Sequence, residues 1–295
     1  MRNQLQRPRP SPMSKRMNTQ PDDINLFDAD AVKRNRKRGR AMGPDFDFLR
    51  AEIADRMADR LADINRDFGA VLDLGGNFAP HSSKTVEAVP VGDEPLAASP
   101  GSYDLVVSNL ALHWVNDLPG VMVQANRTLK PDGLFMASLF GGETLHELGH
   151  SLLAAEAEVT GGASQRVIPF ADVRDLGSLL QRAGFALPVT DMDTITVTYE
   201  HPLKLMQELR GMGEANAMHC RSRRFLRRDV LMRACEIYQS KFGMADGRVP
   251  ATFQVMYMTG WHPHESQQKP LKPGSGKVNL GDALKAGGPP KKPSP

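Results

Sequence analysis

The pattern of apolar and polar positions changes character along this chain. Over residues 45–66, Phe46, Leu49, Ile53, Met57, Leu61 and Ile64 recur at steps of three and four while Arg and Asp fill the other face, which predicts an amphipathic helix. Residues 70–74 are a short apolar run that ends in Gly75-Gly76, as a buried strand entering a tight turn would. Residues 104–108 and 133–139 are runs of the same kind, and between them residues 118–129 predict a helix stopped by Lys130-Pro131-Asp132-Gly133. Strand, helix, strand at this spacing is a βαβ crossover. Repeated, it predicts an α/β fold with a parallel sheet and helices on both faces. Further helices are expected from residue 142 to about 159 and over 172–183, the second closed by Gly184. Residues 194–199 alternate β-branched side chains as a strand does, and residues 251–261 form the last strand.

Composition divides the chain into one domain with two tails. Residues 1–24 are Pro-rich and polar, and residues 265–295 are rich in Lys, Pro and Gly, so neither segment is expected to bury a core. The domain, 25–264, comprises a helical segment (25–69), a sheet core (70–200), a helical insertion (201–250) and the last strand (251–261). Residues 1–40 hold 11 Lys/Arg against 4 Asp/Glu, and residues 262–295 hold 6 against 2. The net charge of +3 therefore hides an acidic body, which argues against a nucleic-acid binder with a basic surface built into its fold. Within the first segment, residues 33–40 (KRNRKRGR) read either as a solvated face or as a basic binding patch. Cys220 and Cys235 are too few for a disulfide framework, and no apolar run is long enough for a membrane span. A cytoplasmic location is expected. The mitochondrial matrix is the alternative if the basic N-terminal segment is a presequence, although Pro8, Pro10 and Pro12 would break its helix.

The chemistry-bearing residues lie where the apolar runs end. Val71-Leu72-Asp73-Leu74-Gly75 places an acid and a Gly turn at the end of the first strand, where open parallel sheets bind ligands. Gly92-Asp93-Glu94-Pro95-Leu96 follows, then Ser102-Tyr103-Asp104-Leu105-Val106-Val107-Ser108-Asn109, then Leu129-Lys130-Pro131-Asp132-Gly133. In this order and at these spacings they resemble the class I S-adenosylmethionine-dependent methyltransferases (methyltransferase type 11). Residues 112–120 (LHWVNDLPG), 169–185, 210–217 and 221–228 are similar to the branch holding the bacterial malonyl-carrier-protein methyltransferases of biotin synthesis and respiratory complex I assembly factor 5. The resemblance implies a Rossmann-like, doubly wound sheet, seven-stranded in the family. It implies a cofactor site in which Asp73, Gly75 and Gly76 hold the methionine end of S-adenosylmethionine, Asp93 or Glu94 the adenosine, and Ser108 adjoins. His113 would stand near the acceptor as a catalytic group, with Trp114 as a substrate contact. The acceptor is a small molecule or a protein. For the assembly-factor branch the resemblance implies a complex I subunit, and protein-arginine hydroxylation or a non-catalytic assembly role instead of methyl transfer.

Two departures bear on the cofactor. The family's acid-x-Gly-x-Gly-x-Gly reads here Asp73-Leu74-Gly75-Gly76-Asn77-Phe78-Ala79, and Phe78 adds bulk where close backbone approach is needed. Asp73 and Asp93 are also too close in sequence to Asp104 for two full βα units, so about one unit is missing. Weak or lost cofactor binding is expected. Asp93 or Glu94 could alternatively take the ribose role from its offset to the first strand.

The remaining candidates have plainer readings beside them. His113 either moves a proton or packs and hydrogen-bonds, and Trp114 either meets substrate or anchors a core edge. His146-Glu147-Leu148-Gly149-His150 fits the H-E-x-x-H zinc signature but lacks a third ligand, so no metal is expected. Arg210, Arg221, Arg223, Arg224, Arg227 and Arg228 read as a solvated face from which one or two could clamp a carboxylate. Met206, Met212 and Met218 read as core filler. From the tail compositions, a chain limited to residues 25–264 should melt cooperatively within a few degrees of the full-length protein. A large drop in scanning calorimetry would show a tail packed on the body.

Overall fold

A computed structural model describes residues 25–78, 85–90, 92 and 95–268. The elements in chain order are α1 (Ala29–Met42), α2 (Phe48–Ala62), β1 (Ala70–Leu74), β2 (Thr85–Val89), β3 (Tyr103–Asn109), α3 (Leu118–Thr128), β4 (Leu129–Phe140), α4 (His146–Thr160), α5 (Val173–Arg182), β5 (Ala186–Tyr199), α6 (Pro202–Gly211), α7 (Arg228–Phe242) and β6 (Val249–Trp261). The strands form one six-stranded sheet in the order β2-β1-β3-β4-β6-β5. β2, β1, β3 and β4 pair in parallel, whereas β6 runs antiparallel to both β4 and β5. The α/β, mostly parallel sheet expected from the apolar runs is present. It has six strands among the described residues where the full family pattern has seven.

β1, β3, β4 and β6 send residues to two cores. On one face Val71, Leu105, Leu134 and Phe253 pack with Leu49, Ile53 and Met57 of α2, Leu148 of α4 and Tyr238 of α7. On the other, Leu72, Val106 and Phe135 pack with Met122 of α3 and Leu176 and Leu180 of α5. Both faces of β3 and β4 are therefore covered, so these strands read as continuous apolar runs. The N-terminal periodicity has the same cause: Leu49, Ile53 and Met57 are fully buried. β2 was not visible as a strand because Val86, Glu87 and Ala88 are exposed at the sheet edge, and no apolar face is repeated there.

The basic run 33–40 lies on α1, which docks on α6. Asp28 caps α1 by accepting from Ala31 N, and Arg221 donates to Asp28 at 2.8 Å. Phe27 packs edge-on against Trp114 with ring centroids 5.2 Å apart. The helices cross closely because Gly39 faces Gly211: a Cβ at Gly39 would sit 2.4 Å from the Gly211 carbonyl oxygen. In an isolated helix Gly39→Ala would gain about 1 kcal/mol of propensity. Here overpacking should reverse the sign and give a net loss of about 1–3 kcal/mol in chemical denaturation. Gly162→Ala, with nothing within 4 Å, is the control. A more stable Gly39→Ala protein would mean that α1 and α6 do not pack at this distance.

Candidate functional site

At the carboxyl end of β1 the chain turns through Gly75 (φ +109°) and Gly76 (φ +68°). A Cβ on Gly75 would meet Ala111 Cβ at 2.6 Å, and Gly75 N donates to Val89 O at 2.8 Å, so the turn is clamped between β2 and the segment after β3. Asp73 is buried just before it. Its Oδ2 accepts from Phe78 N at 2.7 Å, while Oδ1 is buried with no hydrogen-bond partner. Burial pushes this carboxyl up to about 6, against backbone hydrogen bonds from Phe78, Asn77 and Gly76 that favour the ionised form. The Phe78 side chain is turned into the core beside α2, so its bulk is packed away instead of standing over the turn. Ser108, fully buried, donates to Leu74 O at 2.9 Å and ties β3 to β1. Asn77 Nδ2 donates to Asn109 O, Asn109 Nδ2 to Arg50 O, and Ser138 Oγ to Asn109 Oδ1. Asp93, Glu94 and Ala79 lie outside the described residues.

The turn Leu112–Trp114 follows β3 and carries the second half of the site. His113 Nε2–H and Trp114 Nε1–H both donate to Glu214 Oε2, at 2.9 and 2.7 Å. Arg50 approaches the other carboxylate oxygen at 3.7 Å. Burial opposes ionisation of Glu214, yet the charge and hydrogen bond of His113, the Arg50 charge and the Trp114 hydrogen bond together hold its carboxyl below the usual range. The His113 ring sits 5.0 Å from that of Phe140 and 5.6 Å from that of Trp114, with Nδ1 buried and unpartnered. Beside it lies a cavity of about 170 Å3, walled by Leu148, Phe140 and Phe253 and bounded by Trp114, Arg210 and Glu214. Trp114 lines this cavity. His113 does not line the cavity and reaches it through Glu214.

Sequence reasoning passed over Glu214, Arg50, Asn109 and Ser138. Glu214 lay inside the 210–217 stretch that carried a family resemblance, which was its only signal. Of the arginines singled out there, Arg210 borders the cavity, Arg221 pairs with Asp28, and Arg227 pairs with its neighbour Asp229. In the H-E-x-x-H segment, Glu147 faces inward and accepts from Thr252 N and Oγ1, while His150 Nε2 contacts Lys241 Nζ at 2.9 Å on the surface. The glutamate that would activate water is thus committed to β6. Finally, Lys33, Arg36, Lys37 and Arg40 of α1 line an open cleft of about 700 Å3 with Gly75, Gly76 and the end of β2.

A methyltransferase-domain family matches residues 46–188. The human protein "Arginine-hydroxylase NDUFAF5, mitochondrial" is 41% identical over 302 residues, covering 92% of this chain and 87% of its own length. The malonyl-[acyl-carrier protein] O-methyltransferase of Halorhodospira halophila is 34% identical over 272 residues, covering 82% and 90%. Among solved structures, the YcgJ protein of Bacillus subtilis superimposes with a TM-score of 0.46 at 12% identity, covering 72% of this chain and 98% of that one. The chain belongs to the S-adenosylmethionine-dependent methyltransferase-fold family that includes the NDUFAF5 arginine-hydroxylases and the malonyl-[acyl-carrier protein] O-methyltransferases.

Proposed function

We propose that this chain is a methyltransferase-fold enzyme that receives a side chain of a partner protein in the cavity beside Trp114 and holds S-adenosylmethionine weakly. The observation that carries the reading is the buried Glu214 carboxylate, fixed by Trp114 and His113 at the edge of an apolar cavity. It is connected to the Asp73 turn through Arg50, Asn109 and Asn77. A long side chain with a hydrogen-bonding or basic tip suits such a site. The NDUFAF5 relatives, named as mitochondrial arginine-hydroxylases, favour an arginine as that side chain, and the assembly-factor resemblance favours a complex I subunit as its bearer. Hydroxylation of that arginine is the second reading, and their name is what favours it.

The residues fit one end of the cofactor. Asp73 offers a buried carboxylate oxygen without a partner, and the paired glycines leave the turn free of side chains toward the amino-acid end. The rest of the cleft fits poorly, because four cationic side chains line it. When bound, S-adenosylmethionine supplies an electrophilic methyl group, so the chain need only hold the acceptor in line and exclude water. Trp114 and the cavity walls do the second. Glu214 orients the acceptor tip, and His113 is a positioning residue that holds Glu214.

Titrated side by side in a calorimeter, this chain should bind S-adenosylmethionine about a hundredfold more weakly than the Halorhodospira relative, the equivalent of two lost charge-assisted hydrogen bonds. Low-micromolar binding by the unaltered chain would overturn the weak-site reading.

The Asp73 carboxyl gives a separate prediction for the unliganded protein. Its folded-state value of about 6 lies above the ordinary 3.8, so ionisation destabilises the fold progressively as pH rises between those values. The full penalty above pH 6 is about 3 kcal/mol. Asp73→Asn should therefore stabilise the protein more at pH 7.5 than at pH 4.5, by about 2 kcal/mol. An increment independent of pH would show that Asp73 is not held in this environment.

A further inference from the structure

Lys33, Arg36, Lys37 and Arg40 are spaced i, i+3, i+4 and i+7, which sets them on one face of α1. That face borders the cleft above the Gly75–Gly76 turn, whereas Arg34 and Arg38, on the same helix, do not line it. No acidic side chain lines the cleft among the described residues, and Lys33, Lys37 and Arg40 form no ion pair there. Arg36 is braced in the wall by donating to Ala111 O at 3.1 Å. The opposite wall is the end of β2 and two consecutive glycines with positive φ, which leave backbone without Cβ atoms facing the opening.

Three physical facts point the same way. The cleft lies beyond the carboxyl ends of adjacent parallel strands, the place where doubly wound sheets receive ligands. Its volume of about 700 Å3 is that of a small-molecule site. Its cationic row runs about 10 Å along the helix axis at the usual rise per residue, a line of charge that suits a chain of anionic groups better than a single one. The sulfonium of S-adenosylmethionine is repelled by this row. Phosphate groups are attracted, and Arg and Lys side chains present several donors to their oxygens.

We propose that the cleft between α1 and the Gly75–Gly76 turn binds a small anion carrying a chain of phosphate groups. The inference rests on the weak fit of S-adenosylmethionine argued above, since both ligands would occupy this one cleft, and ATP binding is measured separately from S-adenosylmethionine binding.

The test uses the full-length protein and two charge-matched double variants. ATP, inorganic triphosphate and S-adenosylmethionine are titrated calorimetrically at low and at physiological ionic strength. ATP should bind, more weakly at the higher salt. Lys33→Gln/Lys37→Gln should weaken it about tenfold or more, the equivalent of losing one or two charge-assisted hydrogen bonds. Arg34→Gln/Arg38→Gln removes the same charge outside the cleft and should leave affinity within about twofold. Unchanged melting temperatures would show that both variants fold. Inorganic triphosphate binding as tightly as ATP supports the site and assigns recognition to the phosphate chain, while tighter ATP binding supports it and adds the nucleoside. No ATP binding, equal losses in the two double variants, or tighter binding of S-adenosylmethionine than of ATP would each overturn the proposal.

Discussion

The buried carboxylate of Glu214 is the constraint on which the two halves of this molecule depend. It lies after α6, 100 residues from Trp114 and 101 from His113, and is met by donors from that turn and by Arg50 of α2. A buried carboxylate costs several kcal/mol of desolvation unless charges and hydrogen bonds offset it. Three groups from two other elements do so here. Their convergence fixes the N-terminal helix, the end of β3 and the helical insertion at once, and it shapes one edge of the apolar cavity. Arg50 does a second job, since its carbonyl accepts from Asn109 and its guanidinium also donates to Met212 O. The acceptor side and the Asp73 turn are thus braced by the same residue.

The shortened connection after β1 explains the character of the other site. Ten residues separate β1 from β2, and β2 pairs beside β1 with Val86, Glu87 and Ala88 exposed. The turn itself is intact in its local geometry, with positive φ at both glycines and a buried acid before it. The surroundings have altered. Where a full sheet would add another strand and helix, α1 brings a row of cations to the opening. The same backbone cradle is therefore joined to a different electrostatic field, and field and cradle together determine which ligand charge the cleft favours.

Much of the fold was readable because its signals are local. β1, β3 and β4 are buried on both faces or nearly so, and such strands must be continuous apolar runs whatever surrounds them. α2 and α5 bury one stripe against the sheet, so their periodicity appears in the residues themselves. Turn residues marked the ends: the Gly75–Gly76 pair and Gly184 all adopt positive φ, as their placement after the runs suggested. Asp73 and Trp114 could be singled out as candidates because each stands at the end or just beyond a strand of recognisable pattern. β2 left no such pattern, since an exposed edge strand has no face that must be apolar.

What the amino-acid order determined alone is therefore the identity of the buried strands and helices, the layered α/β class and the acid-glycine turn, each encoded within a few residues. Only the tertiary structure decided that α1 docks through Gly39 against Gly211, that its basic face overlooks the Gly75–Gly76 turn, and that Glu214 accepts hydrogen bonds from both His113 and Trp114. These contacts join residues that are far apart in the chain. Neither partner needs a special neighbour or a period to make them, so their energies arise from three-dimensional proximity and leave no trace in any local window of sequence.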